Sequence, residues 1–369
     1  MRILRLGFEN YRNLNKGYIT PSDGVNIIYG NNAQGKTNLL ESIWLFTGGR
    51  SFRGAKDNDL IKFREKSAKI EMAFYSEERE QSAEITIAAG KRTAKLNGVQ
   101  KPSASALIGN FCGIIFSPVH LSLIKDGPAE RRKFVDAAIC QIKPSYTSLL
   151  AGYNHTLSQR NTLLKDIPYH RELMDTLDIW EDKLATYGAY IVYERRKYTE
   201  SLKKYSSEIY SGISDGKEKM TLEYVSSFCD DDCDNIKSIA EAMKKKLYGT
   251  RKEDIFAGYT SVGPHRDDLS VKIDGKSARL FGSQGQQRSC VLALKLSEAT
   301  ILKDKIGEKP IVLLDDVMSE LDNSRQDYIL NCINGWQVFI TCCEPSTVTR
   351  LIEGKKIRVE NGSCSQEDF

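Results

Sequence analysis

Val25-Asn26-Ile27-Ile28-Tyr29 followed by Gly30-Asn31-Asn32-Ala33-Gln34-Gly35-Lys36-Thr37 decides the fold of this chain. The first five residues have the apolar, β-branched character of a short buried strand. The next eight match GxxxxGK[ST] in full. Asn38 to Thr47, with Leu39, Leu40, Ile43 and Phe46 on one side, then reads as a helix. Strand, glycine-rich loop and helix in that order build a phosphate cradle. Backbone N–H groups of the loop and the unpaired donors at the helix N-terminus converge on one point, where the helix dipole favours negative charge. In such a cradle Gly30, Asn31, Asn32, Ala33, Gln34 and Gly35 wrap a nucleotide's phosphates. Lys36 reaches the β- and γ-phosphates, and the Thr37 hydroxyl is a ligand for Mg²⁺.

Two later stretches supply what the loop lacks. Ile311-Val312-Leu313-Leu314-Asp315-Asp316 is a buried strand ending in two carboxylates, which an open α/β sheet delivers beside the phosphate loop. Asp315 is placed to hold Mg²⁺ through water, and Asp316 to orient and deprotonate an attacking water. Gly282-Ser283-Gln284-Gly285-Gln286-Gln287-Arg288-Ser289, leading into Val291, Leu292, Leu294 and Leu296, opens a second helix with Ser283 as its cap. Gly285 lets backbone donors approach a ligand, so Ser283, Gly285 and Gln286 form another phosphate-binding helix start. One ATP already has a helix N-terminus from the first motif. A second, 247 residues beyond Lys36, is most useful on the γ-phosphate of another subunit's ATP.

The remainder of the chain gives the layout. Its 369 residues suggest two or three domains. Hydrophobic residues at 40% and charged ones at 28% exclude collagen-like and wholly disordered chains. No apolar run approaches the roughly 20 residues of a membrane helix. The N-terminal MRILRLGFENYRNL has no signal-peptide core, so a cytoplasmic protein without a membrane partner is expected. Nine cysteines, an odd number without CxxC spacing, read as free thiols. Strand alternation at Ile3, Leu6 and Phe8 and at Ile70, Met72 and Phe74, with a hairpin turn at Asn97-Gly98, marks an antiparallel region. From 118 to 249 helices dominate. Leu173, Leu177, Trp180, Leu184, Tyr187 and Ile191 form an a/d seam interrupted at Glu194, the pattern of one long helix packed on a neighbour. Strands return after Tyr259, with Leu269, Val271 and Ile273 alternating before an Asp274-Gly275 turn. The expected class is α/β: a head of residues 1–117 and 250–369, interrupted by a helical arm of residues 118–249.

Phosphate loop, signature, acidic strand and then Ser319-Glu320-Leu321-Asp322 as a D-loop resemble the ABC-type ATPase head, with a mixed sheet around the P-loop helix and an antiparallel β subdomain. The inserted helical arm is similar to that of SMC-type ATPases, though much shorter. Gly263-Pro264-His265-Arg266-Asp267-Asp268-Leu269, SQGQQRS, LALKLSEA and LLDDVMSELD together resemble the RecF family of bacterial DNA replication and repair proteins, from LGFENYRNL to the strand at Val338 to Thr341. The resemblance implies an ATP- and Mg²⁺-dependent homodimer that binds single-stranded and gapped double-stranded DNA at junctions. It further implies that the protein acts with RecR and RecO to place RecA on gaps, and that it is a slow, DNA-stimulated ATPase. Carried over by position, Gly30 to Thr37 bind ATP, Thr37 and Asp315 hold the metal, Lys36 and Asp316 are catalytic, and Ser283, Gly285 and Gln286 meet the partner's γ-phosphate. Three positions depart from the wider ABC pattern. Asp316 stands where transporters carry Glu, which suggests slow turnover. Thr341 stands where a His often senses the γ-phosphate, and no Gln occupies the Q-loop position near Phe116 and Ser117. A transporter's cytosolic ATPase subunit is the alternative; its signature follows the loop much sooner, and it offers no reason for the arm.

Charge is the awkward feature. Lys and Arg number 53 and Asp and Glu 49, a net +4 that is small for a nucleic-acid binder. It is unevenly spread. Seven basic against three acidic residues lie between Arg50 and Lys69, four against none between Gly90 and Pro102, and five against one between Glu241 and Lys252. The acid clusters at Glu308 to Asp327 and at Asp230, Asp231, Asp232 and Asp234. Arg12, Arg50 and Arg53 are candidates for phosphate contact. His265 and Arg266 either touch nucleotide or DNA, or belong to a turn anchored by Asp267 and Asp268.

Overall fold

The computed structural model describes residues 1–229, 233–346 and 353–366 and divides into two compact units. The first comprises Met1–Leu121, Ile209–Lys217 and Val291–Phe369; the second comprises Ser122–Glu208 and Glu218–Cys290. Three of the aspartates in the second acidic cluster, Asp230 to Asp232, lie outside the described residues.

The first unit holds two six-stranded sheets. One is mixed, in the order Ser363–Gln366, Lys355–Glu360, Val25–Tyr29, Val338–Cys342, Ile311–Leu314 and Gly113–Phe116. All neighbours in it are parallel except the Ser363–Gln366 edge. Its three central strands, Val25–Tyr29, Val338–Cys342 and Ile311–Leu314, are buried on both faces, which is why they read as mainly apolar runs. The loop strand Val25–Tyr29 and the acidic strand Ile311–Leu314 are not adjacent, as Val338–Cys342 runs between them. At about 4.8 Å per strand the two chemical ends stand about 10 Å apart, so residues of the middle strand lie between them.

The second sheet is antiparallel, ordered Gly17–Ile19, Arg2–Glu9, Ser67–Ser76, Arg79–Ala88, Lys91–Leu96 and Val99–Lys101. Burial alternates along it, so Ala68, Ile70, Met72 and Phe74 face the same core as Leu6, Ile85 and Ile87. Leu39, Leu40 and Ile43 of the helix Lys36–Trp44 join that core. The expected antiparallel subdomain and P-loop helix therefore share one apolar interior.

The second unit contains the helices Pro128–Ile142, Tyr146–Asp166, Ile236–Gly249 and Arg251–Ala257, most of the 37-residue helix Leu177–Ile213, and a small sheet. The seam residues Leu184, Ile191 and Leu202 are fully buried, and Glu194, which interrupts the seam, accepts from Lys143 Nζ at 2.6 Å. Residues 250–290, grouped with the head on sequence, cluster here with the helices. The cause is Met220–Val225, a strand inside the presumed all-helical stretch. It pairs antiparallel with Asp268–Ile273, from Met220 opposite Ile273 to Val225 opposite Asp268. Six residues carry too little alternation to announce a strand, and the pairing partner lies more than forty positions away in sequence.

Candidate nucleotide site

The loop from Gly30 to Gly35 has the backbone that only its composition permits. Gly30 has φ 149° and Gly35 φ 119°. A Cβ on Gly30 would sit 2.3 Å from the Val359 carbonyl oxygen, so Gly30 is required by space as well as by φ, while Gly35 is required by φ and has only the side-chain ends of Asn13 and Leu14 within 3 Å of a Cβ. No side chain caps the helix Lys36–Trp44, which leaves its first backbone donors directed at the loop's concavity. Lys36 Nζ lies inside that arch, donating to the carbonyls of Gly30 at 2.6 Å and Asn31 at 2.9 Å. Asn13 Nδ2 donates to the Ala33 carbonyl, and the Asn361 N–H donates to Gln34 Oε1 at 2.6 Å, bracing the loop from two sides.

Thr37 and the acidic strand meet. Thr37 Oγ1 donates to Asp315 Oδ1 at 2.9 Å. Asp315 is 6% exposed and its own N–H bonds the Phe116 carbonyl. Burial pushes its carboxyl above the usual range and the neighbouring Asp316 adds to this, while hydrogen bonds from Thr37 and Thr341 and the charge of Arg53 oppose it. Asp316 is exposed, in a left-handed conformation at φ 54°. Ser319 Oγ donates to its carbonyl at 3.0 Å and to its carboxylate at 3.1 Å. Asp322, the last residue of the D-loop string that begins at Ser319, caps the helix Asn323–Cys332 by accepting from the Arg325 N–H.

Thr341 does not stand where the sequence suggested. The strand continues through Cys342, so Thr341 is inside it, 2% exposed, with its hydroxyl committed to the carboxylate strand. At the Q-loop position the Ser117 N–H donates to His120 Nδ1 at 3.1 Å. Burial drives that imidazole's pKa down to about 3, so it is neutral at pH 7.

Behind the loop lies a set of residues whose role the sequence did not disclose. Glu41, on the P-loop helix, is fully buried and accepts from Tyr11 Oη at 3.0 Å, from Arg12 Nε at 2.9 Å and Nη2 at 3.0 Å, and from Ser51 Oγ. Arg12, a candidate for phosphate contact, is thus spent on Glu41 and on the Asp59 carbonyl. Arg53 donates to Asn38 Oδ1 at 2.8 Å, while Arg50 is exposed. A charged residue in the middle of a helix's apolar face was the available signal for Glu41.

In the second unit, Ser283 and Gln286 cap each other. The Gln286 N–H donates to Ser283 Oγ at 3.2 Å and the Ser283 N–H donates to Gln286 Oε1 at 2.8 Å. Gln286 Nε2 also reaches Glu218 Oε1 at 2.8 Å. Ser283 is exposed and Gly285 half-buried, at the start of the helix Gln284–Ile306. The Gly263 to Asp268 string resolves in favour of the anchored turn. Asp267 accepts from Tyr224 Oη and the Ser227 N–H, and Asp268 accepts from Arg131 at 2.7 and 3.0 Å. His265 Nδ1 faces Tyr153 Oη at 2.7 Å and Nε2 faces the Thr260 carbonyl at 3.1 Å. Arg266 alone of the string's charged side chains is exposed, lying over the Tyr259 ring.

Residues 2–366 match the family model of the RecF/RecN/SMC N terminal domain. The chain is 40% identical over 365 residues to the DNA replication and repair protein RecF of Acetivibrio thermocellus, covering 98% of this chain and 99% of the relative. It is 37% identical over 372 residues to that of Clostridioides difficile, with 98% and 100% covered. Among solved structures it is similar to the recombination mediator protein RecF-ATP in the RecFOR pathway, with a TM-score of 0.93 at 40% identity over 100% of this chain and 98% of that one. The Smc head domain of Pyrococcus furiosus, with an extended coiled coil and bound to the C-terminal domain of ScpA, shares the fold alone, with a TM-score of 0.57 at 16% identity over 99% and 96% of the chains.

Proposed function

The chain belongs to the RecF family of DNA replication and repair proteins, and from that membership we propose that it is a DNA-binding recombination mediator driven by ATP. The observation that carries the ATPase reading is the contact of Thr37 with Asp315. Thr37 brings a hydroxyl within 2.9 Å of the Asp315 carboxylate, and these are hard oxygen donors of the kind Mg²⁺ takes, so Thr37 would hold the cation directly and Asp315 would hold it through water. When bound, the cation would supply positive charge against the phosphates. Gly30 to Lys36 hold the phosphates, with the Lys36 ammonium already at the centre of the loop. Asp316 takes the proton of the attacking water, and its side chain, one methylene shorter than Glu, makes the turnover slow. Ser283, Gly285 and Gln286 engage the γ-phosphate of a second subunit's ATP, so nucleotide joins two heads. The dimer captures single-stranded and gapped DNA, which stimulates hydrolysis, and hydrolysis releases it. With RecO and RecR it promotes RecA loading in the cytoplasm. No helix among the described residues is long and apolar enough to cross a membrane, and family membership displaces the transporter alternative.

Sedimentation of the wild type, Lys36→Arg and Ser283→Arg, with and without ATP and a gapped duplex, tests this. We expect a dimer only for the wild type with ATP, and tight DNA binding only in that state. A wild type that stays monomeric throughout, or binds the gapped duplex equally well without ATP, overturns the proposal.

A further inference from the structure

Between the loop strand and the acidic strand, one hydroxyl touches both carboxylate residues. Thr341 Oγ1 donates to Asp315 Oδ1 at 3.0 Å and accepts the Asp316 backbone N–H at 2.8 Å. A hydroxyl has one proton to give and two lone pairs, so both bonds form at once. The side chain is 2% exposed and β-branched, which confines χ1 and leaves the oxygen one direction. Thr37 approaches the same Asp315 Oδ1 from the P-loop helix at 2.9 Å. Two hydroxyls on one oxygen set the carboxylate's rotation. Asp316 is the strained partner. A non-glycine residue at φ 54° is in a sparsely populated conformation that persists where its surroundings hold it. The bonds that do so here are Thr341 to its N–H and Ser319 to its carbonyl.

We propose that Thr341 is a positioning residue for ATP hydrolysis: its single hydroxyl orients the Asp315 carboxylate and holds Asp316 in the left-handed turn that presents the second carboxylate. This rests on the ATPase reading above. It also accounts for a threonine at a place where a γ-phosphate sensor was expected, because the residue faces the carboxylates from within the strand. Substitution by valine preserves shape and removes the hydroxyl, whereas serine preserves the hydroxyl.

Three measurements on the full chain test it. Thr341→Val is expected to bind ATP within about twofold of the wild type and to lower kcat by about ten- to a hundredfold, the range of a missing hydrogen bond to a charged group. Thr341→Ser should recover most of that activity. In nucleotide-free protein, hydrogen exchange at the Asp316 amide should accelerate at least about tenfold in the valine variant and little in the serine variant. A valine variant with wild-type kcat, a serine variant as slow as valine, or an Asp316 amide protected equally in all three overturns the proposal. If the wild type neither binds nor hydrolyses ATP, the ATPase reading fails and the catalytic role falls with it, while the exchange measurement separately decides whether the hydroxyl holds the turn.

Discussion

Glu41 shows how much of the setting of the Gly30–Thr37 loop depends on residues behind it. Its carboxylate, fully buried, accepts hydrogen bonds from Tyr11, Arg12 and Ser51. Burial lowers the Arg12 guanidinium's pKa, but hydrogen bonding and charge attraction from Glu41 outweigh it and the net shift is upward. Burial and then the Glu41 charge raise the Tyr11 phenol. Removing one partner of such a group leaves the others unpaired, so Glu41→Ala should destabilise the first unit by about 3–5 kcal/mol, read from urea unfolding. A loss below about 1 kcal/mol would contradict the assignment. His265 makes a pH prediction. Burial is the main cause holding its pKa down at about 4, against 6.5 when exposed. Between those values the unfolded chain binds a proton that the native one does not. Stability is therefore fully present above about pH 6.5 and falls by about 3 kcal/mol on the way to pH 4. His265→Asn should flatten this part of the urea-midpoint profile against pH.

Turns show which elements local sequence can specify. Asn97-Gly98 and Asp274-Gly275 join antiparallel strands with both residues at positive φ, as their composition leads one to expect. The turn at Glu77-Glu78 has the same conformation, at φ 53° and 59°, without a glycine or asparagine to favour it. It is held from a distance: Glu308 accepts from Ser76 Oγ at 2.7 Å and from the Glu77 N–H at 2.6 Å. Glu308→Ala should release that turn, costing about 1–2 kcal/mol and speeding exchange at the Glu77 amide. An unchanged amide would show that the turn stands without its partner. The strand Met220–Val225 has the same lesson, since its existence depends on Asp268–Ile273 and not on its own six residues.

At the scale of the whole chain, the net charge of +4 conceals two populations of basic residues. Arg92 is bound to Asp57, Lys69 and Lys95 to Glu84, Lys244 to Asp182 and Arg251 to Glu181. Arg50, Lys56, Lys66 and Lys91 in the first unit, and Lys245, Lys246 and Lys252 in the second, are exposed. On the proposed function, one subunit would offer few cations to the phosphate backbone and two joined by ATP would offer twice as many, and the electrostatic part of affinity grows steeply with their number. DNA binding should therefore be both salt-sensitive and ATP-dependent. Alanine at Arg50, Lys66 and Lys91 together should flatten the plot of log affinity against log salt by about 0.9 for each phosphate no longer neutralised, equally for all sequences. A variant that keeps the wild-type slope would remove those residues from the DNA surface.

Sequence alone determined the α/β class, the strand and helix on either side of the Gly30–Gly35 loop, the strand that ends at Asp315-Asp316 and the helix that opens at Gln284, because each is a contiguous run whose character depends on neighbours in the chain. Both glycines of the loop are needed for reasons of φ that the motif already encodes, and Gly30 for space as well. Tertiary structure decided everything that depends on which strand lies beside which. It inserted Val338–Cys342 between the loop and acidic strands, turned Thr341 toward the Asp315 carboxylate and the Asp316 amide, spent Arg12 on Glu41 and joined residues 268–277 to the helical unit. The reason is that a hydrogen bond between residues tens or hundreds of positions apart leaves no periodic trace in either segment. Only the sheet order, chosen by the shared apolar core, brings the two ends together.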